Sequence, residues 1–314
     1  MANETKQFEK LVIAGGSGFL GQSLLQELRG KYRQVVVLTR REPRGDGNVR
    51  FVHWDAKTPG AWCDALKGTD AVVNYVGRTV DCRKTAANKR AILESRVNSV
   101  MALAAAFEQI GHQPRVWVQS ATAHIYGDTA DEILDESSPI GTGFAPQVGV
   151  AWEAALAKAM DHLPTCRFVT LRISFVLGRD GGALKTLARL ARFGLGGTVG
   201  HGRQYMSWIH EADLNALVVR AITDERMSGM YIATAPEPRT NRDFMRLLRK
   251  TVRRPWVPPT PALFVRIGAV FLRTDPELAL LGRRIVPTRL MREGFTFEHP
   301  SLEDALKDLL TKRG

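Results

Sequence analysis

Cysteine is scarce in this chain: Cys63, Cys82 and Cys166 are its three. An odd number at wide, unpatterned spacings supports neither a disulfide framework nor a zinc site and points to a reducing compartment. A cytoplasmic location is therefore expected. No run approaches the roughly 18–20 uninterrupted apolar residues that cross a bilayer, so no membrane partner is expected. The polar start, Met1 to Lys10, leads straight into a strand-like run and carries no secretory signal pattern. The seven histidines show no metal-ligand spacing such as H-x-x-x-H, so no metal is expected. Acid is also in short supply, with 32 Asp and Glu against 44 Lys and Arg and a formal charge of +12. So basic a surface attracts polyanions. The basic residues nevertheless show no zinc-finger, RNP or basic-region pattern, which disfavours nucleic acid. A phosphorylated cofactor or substrate accounts for part of the charge and leaves the remainder unexplained.

What is present is ordinary soluble-protein chemistry, 44% apolar and 24% charged over 314 residues. Short β-branched runs at Leu11–Ala14, Val35–Thr39, Val49–Val52, Ala71–Val76, Val116–Ser120 and Phe168–Ile173 read as strands buried on both faces. Helix-length segments such as Phe19–Arg29 and Arg96–Ile110 lie between them. This alternation predicts an α/β fold, a Rossmann doubly wound parallel sheet with a smaller C-terminal α/β lobe. The core is expected over residues 1–175. Residues 176–314 are expected to form the smaller lobe, with some segments returning to the core. In that later part, Gly-rich turns at Gly178–Gly182 and Gly194–Gly202 bracket a basic helix. A helix through Asp213–Thr223 and a strand at Met230–Ala233 follow. Thr240 and Ser301 each precede an acid by three residues, a capping-box spacing, and a proline cluster runs from Pro255 to Pro261.

The strongest signal is Ala14-Gly-Gly-Ser-Gly-Phe-Leu-Gly21, directly after a strand and opening a helix. Gly16, Gly18 and Gly21 satisfy G-x-G-x-x-G. Small residues are needed there so that the chain can turn sharply, admit a pyrophosphate to the backbone and pack a helix close to the sheet. The second strand ends Leu38-Thr-Arg-Arg41. An NAD site usually places an acid about 20 residues beyond the loop for the ribose 2′-hydroxyl. Two guanidinium groups stand here instead, and arginine suits a 2′-phosphate. NADP(H) is the expected cofactor.

Trp54-Asp55 after the third strand, Asn74-Tyr-Val-Gly77 after the fourth and Gln119-Ser-Ala-Thr-Ala-His-Ile-Tyr-Gly127 complete a recognisable set. With the glycine loop, they resemble the extended, epimerase-like branch of the short-chain dehydrogenase/reductase superfamily. Trp152-Glu153, Leu171-Arg-Ile-Ser-Phe-Val-Leu-Gly178, Trp208-Ile-His-Glu-Ala-Asp213 and Gly294-Phe-Thr-Phe-Glu-His-Pro300 narrow the resemblance. They look like the atypical subfamily of epimerase family proteins, which ends in a domain of unknown function. The similarity runs from about Lys10 to Leu310. It implies a cofactor set of Gly15, Gly16, Ser17, Gly18, Phe19, Leu20 and Gly21 from the loop and Thr39, Arg40 and Arg41 from the second strand. It adds Trp54, Asp55, Val76, Gly77, Arg96 and Ser120. Thr122 falls on the catalytic Ser/Thr position.

One departure governs the functional reading. Superfamily enzymes carry a Tyr-x-x-x-Lys pair on the following helix, whereas here Val148 and Trp152 stand at those places and neither transfers a proton. A replacement acid/base would come from Glu153, His124, Tyr126, Tyr205 or His210. Glu153 is the leading choice, since burial beside Trp152 would raise its pKa; its bland alternative is a helix glutamate bonded to backbone or arginine. Arg172, Arg203 and Tyr205 are the candidate substrate contacts, with a buried ion pair the alternative for Arg172. Two function classes stay open. One is an NADP(H)-dependent oxidoreductase or epimerase-like enzyme acting on a small substrate, phosphorylated or nucleotide-linked. The other is an NADP(H)-binding regulator or scaffold without turnover. Monomer and homodimer are both compatible with the sequence.

Overall fold

The computed structural model describes residues 9–41, 47–272 and 275–311, with Leu272 described by its backbone alone. The polar start, residues 1–8, lies outside them. Seven strands form the central sheet: β1 (Lys10–Ala14), β2 (Gln34–Thr39), β3 (Val49–His53), β4 (Ala71–Asn74), β5 (Val116–Thr122), β6 (Arg167–Ile173) and β7 (Gly229–Ala233). Their order is β7-β6-β5-β4-β1-β2-β3, and every neighbouring pair is parallel. Leu11 to Ala14 of β1 are wholly buried, which is why the central strands read as continuous apolar runs. β3, at the edge, is only partly covered.

The longer helices are α1 (Phe19–Glu27), α2 (Ala86–Gln109), α3 (Phe144–His162), α4 (Gly182–Arg192), α5 (Glu211–Thr223), α6 (Asn241–Thr251), α7 (Ala262–Leu272) and α8 (Leu302–Thr311). One face of the sheet packs Leu24 of α1 and Leu214, Leu217 and Val218 of α5. The other packs Val100, Leu103 and Phe107 of α2 and Trp152, Ala155 and Leu156 of α3. α2 begins ten residues before the expected Arg96. Thr85 caps it by accepting the Asn88 N–H at 3.2 Å, and before Ile92 its first turns carry alanine as their only apolar residue.

Of the segments after residue 175, α5 packs on the sheet and β7 pairs with β6 at its edge. Of the remaining helices, α4, α6 and α8 enclose a second core of Leu184, Ala188, Phe244, Leu248, Leu302 and Leu306. Thr240 caps α6 and Ser301 accepts from the Asp304 N–H at 3.2 Å. The short strand Trp208–His210 pairs in parallel with Phe175–Leu177 and joins the two cores. Its alternating side chains divide between them, Trp208 into the second core and Ile209 into the sheet core. Among the described residues no helix is long and apolar enough to cross a membrane.

Trp208→Ala is therefore expected to cost about 3–5 kcal/mol in urea unfolding, the usual range for a fully buried tryptophan. A loss under about 1 kcal/mol would show that the strand does not hold the cores together.

Candidate functional site

The glycine loop is built by close backbone approach. Gly15 turns the chain at φ +77°, and a Cβ there would stand 3.0 Å from the Tyr75 carbonyl carbon and the Val76 nitrogen. A Cβ on Gly21 would lie 2.3 Å from the Gly16 Cα, so only glycine lets α1 sit on the loop. Gly15 N–H donates to Leu38 O, and Gly18 N–H to Gly15 O, each at 3.0 Å. Gln22 Nε2 donates to Gly16 O at 3.0 Å. Gly18 is the N-cap of α1, with no side-chain cap and no acid in the first turn. The unpaired N–H groups and the positive end of the helix are thus left for an anion.

At the end of β2, Thr39 Oγ1 shares a 2.9 Å hydrogen bond with Ser17 Oγ and accepts the Arg41 N–H at 3.1 Å, tying the loop to the neighbouring strand. Arg40 and Arg41 are exposed, and no acid among the described residues pairs with them. β1 lies between β2 and β4, so the loop occupies the point where the chain reverses direction across the sheet.

Phe19 and Leu20 turn their side chains into the protein. Phe19 fills a socket whose floor is glycine: a Cβ at Gly178 or at Gly181 would come within 2.2 Å of its ring. Leu20 packs on the sheet core. What both can offer a ligand is backbone N–H. Trp54 is likewise buried, edge-on to Trp62 at 5.0 Å between centroids. Asp55 accepts from Thr58 N at 3.0 Å, Lys57 N at 2.8 Å and Thr58 Oγ1 at 2.7 Å, and those bonds hold its carboxyl below the usual range.

A buried polar network supports the loop after β4. Asn74 Nδ2 donates to Gln119 Oε1 at 3.1 Å, and Asn74 Oδ1 accepts the Val76 N–H at 3.1 Å. Ser120 Oγ donates to Asn74 O at 2.7 Å. Gln119 was not singled out from the sequence, although a polar residue inside Val-Trp-Val-Gln-Ser was a signal. Gly77 lies against Arg96, where a Cβ would be 3.2 Å from the guanidinium. Arg96 donates to Arg78 O and Ile92 O and stacks over the Trp152 ring at 5.0 Å. Burial pushes its pKa down to about 10. Trp152 Nε1 is buried and has no hydrogen-bond partner among the described residues.

Glu153 and Arg172 meet each other. Arg172 Nε and one terminal nitrogen donate to the two Glu153 carboxylate oxygens, both at 2.8 Å, and its other terminal nitrogen donates to Tyr126 OH at 2.8 Å. This is the ion-pair alternative for both residues, and it engages both Glu153 carboxylate oxygens and all three Arg172 guanidinium nitrogens. Burial opposes the Arg172 charge, but the hydrogen bonds and charge of Glu153 outweigh it and hold its pKa above the ordinary value. Burial raises the Tyr126 phenol against the opposing pull of Arg172. Thr122 ends β5, and its Oγ1 accepts the His124 N–H at 3.2 Å. Burial, with Arg283 and Lys84 nearby, pushes His124 down to about 3.

Arg203 is exposed on its loop, and its N–H is held by His201 Nδ1 at 3.0 Å. Tyr205 begins a two-residue strand against Arg239–Thr240, its ring 5.0 Å from the Arg284 guanidinium. Sequence reasoning missed Arg283, which donates to Gly127 O at 2.7 Å, and the Lys84–Asp275 pair at 2.9 Å. Both join segments far apart in the chain, and no local pattern announces them.

Among the described residues one trio, His210, His299 and Asp308, has ligand atoms within 4.8 Å of one another. His210 Nδ1 accepts the Ala212 N–H at 3.0 Å, so the neutral ring carries its proton on Nε2, 3.5 Å from Asp308 Oδ2. That ring has no lone pair free for a metal. Arg179 also reaches Asp308, and the trio reads as a charge network. Of the cysteines, Cys63 and Cys166 are buried and Cys82 is only half-buried.

A doubly wound parallel sheet with a glycine cradle between its first strand and first helix defines a dinucleotide-fold protein. The sequence profile of the NAD dependent epimerase/dehydratase family matches residues 11–232, and the chain belongs to that family. Residues 260–309 match the domain of unknown function DUF1731. An epimerase family protein of Mycobacterium bovis is 34% identical over 305 residues, spanning 97% of this chain and 98% of its own. The crystal structure of human epimerase family protein SDR39U1 with NADPH superposes with a TM-score of 0.82 at 29% identity, over 96% of this chain and 98% of that one. UDP-glucose 4-epimerase of Thermus thermophilus in complex with NAD has a TM-score of 0.75 at 19% identity, over 95% and 96% of the chains, which is a likeness of fold.

His210 is buried and pushed down to about 4, by burial first and then by His299, so it stays neutral in the folded chain where the unfolded one is protonated. His124, pushed down to about 3, has the same sign. A depressed folded pKa contributes stability that is present above the unfolded value and lost as pH falls. Stability is thus expected to drop as pH falls from about 6.5 towards 4, with His210 contributing on the order of 3 kcal/mol. Thermal unfolding of His210→Asn, which keeps an N-cap, should show a shallower slope over that window. An unchanged slope would remove His210 from the account.

Proposed function

We propose that the protein binds NADP(H) in the crevice where β1 and β4 part and acts there as an oxidoreductase or epimerase-like enzyme on a small, phosphorylated or nucleotide-linked substrate. One observation carries the reading: an uncapped helix end on a glycine cradle stands beside two arginines with no acid partner among the described residues. The NADPH in the human relative's crystal structure supports it. The loop backbone from Gly15, Gly16, Ser17 and Gly18 to Phe19, Leu20 and Gly21 would hold the pyrophosphate. Arg40 and Arg41, set by Thr39, would hold the 2′-phosphate. Trp54 and Asp55 would shape the adenine end, and Val76, Gly77, Arg96 and Ser120 the stretch beyond the pyrophosphate. When bound, the cofactor supplies or accepts a hydride.

The chain's own proton chemistry is sparse. α3 carries Val148 and Trp152 where relatives of the superfamily carry tyrosine and lysine, and it contains no tyrosine. Thr122 accepts from the His124 N–H and so keeps its own O–H to give to a substrate oxygen. Glu153 acts as a positioning residue that holds Arg172, and through it Tyr126. Arg203 and Tyr205 would meet the distal part of the substrate. A second reading, an NADP(H)-binding regulator without turnover, is favoured by the way Glu153, Arg172 and Tyr126 close on one another.

Calorimetric titration should show NADPH binding tightly and NADH weakly, with Arg40→Ala/Arg41→Ala losing about tenfold or more in NADPH affinity because a charge-assisted phosphate contact is removed. Equal affinity for NADH and NADPH, or no dinucleotide binding, would overturn the reading. Loss of turnover without loss of NADPH binding in Thr122→Val would support the enzyme over the regulator.

A further inference from the structure

The charge left unexplained by composition has a location. Residues 181–210 contain four Lys and Arg and no Asp or Glu, and residues 244–272 contain six and again no acid. Most of the +12 excess of the chain therefore falls in these two stretches. They lie side by side. Thr260 N–H donates to Thr198 O at 2.8 Å, Gly200 N–H to Thr260 O at 2.9 Å, and Arg249 to Gly196 O at 2.6 Å. Lys185, Arg189, Arg192, Arg253, Arg254 and Arg266 are exposed, and none pairs with an acid among the described residues.

The same stretches carry apolar side chains in solvent. α7 exposes Leu263 (65%), Phe264 (62%), Ile267, Val270 and Phe271 (81%). Those positions follow helical spacing, so they form one stripe along the helix, while Ala269 faces the protein. Arg266 flanks the stripe. Trp256 is 73% exposed between the Arg253–Arg254 pair and α7, and it is the sole exposed tryptophan, the other five being buried. Phe193 and Leu195, also exposed, lie at the end of α4 beside this segment.

We propose that this face, led by α7, docks on an anionic lipid bilayer. A solvent-facing apolar stripe, a tryptophan at its edge and unpaired arginines around it are what an interface-bound helix needs. The apolar side chains enter the acyl boundary, the indole sits among the headgroups and the guanidinium groups meet lipid charge. A nucleic acid would use the arginines and leave the stripe in water. A second copy would set like charges against each other. The expectation of no membrane partner rested on the want of a crossing helix, and a helix lying on the surface needs none. α7 is also the first helix of the segment matching the domain of unknown function.

The test is flotation of the full chain with vesicles of phosphatidylcholine alone and of equal parts phosphatidylcholine and phosphatidylserine. Binding to the mixed vesicles is expected, weakened by salt and about tenfold weaker on the uncharged ones, as a few surface arginines dictate. The exposed Trp256 should blue-shift its emission on the mixed vesicles. Phe264→Ser/Phe271→Ser should abolish binding while leaving NADPH affinity unchanged, and Arg253→Glu/Arg254→Glu should abolish the preference for anionic lipid. Failure of the wild type to bind either vesicle would overturn the proposal. So would retained binding in the phenylalanine variant. A lipid-free dimer that the same variant dissociates would also overturn it and assign the face to a second copy of the chain.

Discussion

The approach of α1 to the end of β1 is the constraint on which the rest of the site is arranged. Gly21 lies so near Gly16 that no side chain fits between them, and Gly15 lies so near the β4 loop that none fits there either. These contacts bring the helix N-terminus, the end of β2 and residues 75–77 to one crevice. The sheet order fixes that crevice beside β1, because β2 and β4 are its two neighbours. Phe19 extends the constraint outward. By filling the glycine socket at Gly178 and Gly181, it joins the loop to the segment that leads into α4. The loop is therefore also held from the later half of the chain.

Polar groups beneath the crevice serve mainly to hold backbone. Asn74, Gln119 and Ser120 bond one another and the chain around Val76 in a buried network whose members are satisfied. Glu153, Arg172 and Tyr126 do the same for α3, β6 and the turn after β5. Removing one member of such a set leaves a buried partner uncompensated, which costs more than the pair contributes. The arrangement shows that a carboxylate that looks catalytic in a linear reading has both oxygens engaged by Arg172.

The basic surface belongs to a different part of the molecule from the crevice. Arg40 and Arg41 stand at the end of β2, whereas the acid-free stretches lie around the second core and carry the exposed stripe of α7. Charge and apolar exposure coincide there, and neither alone would distinguish that face from an ordinary protein surface.

Much of this was legible in the chain as written. Continuous Val, Ile and Leu runs identify strands buried on both faces, and all six expected ones are present within a residue or two. The glycine spacing, the missing acid after β2 and the Thr240 and Ser301 caps are local codes, carried by neighbouring residues and read without a partner. The beginning of α2 was not legible, because its first turns mix Ala86, Ala87 and Ala91 with Asn88, Lys89 and Arg90 and present no run of large apolar residues. The partners of Glu153, Arg172, Phe19 and Arg283 were not legible either, since each lies 19 to 162 residues away. Local sequence determined the elements, the cofactor loop and the net charge, because those follow from side-chain shape and spacing along one segment. Only the tertiary structure decided which polar groups remain free to act, because pairing and burial are settled between segments.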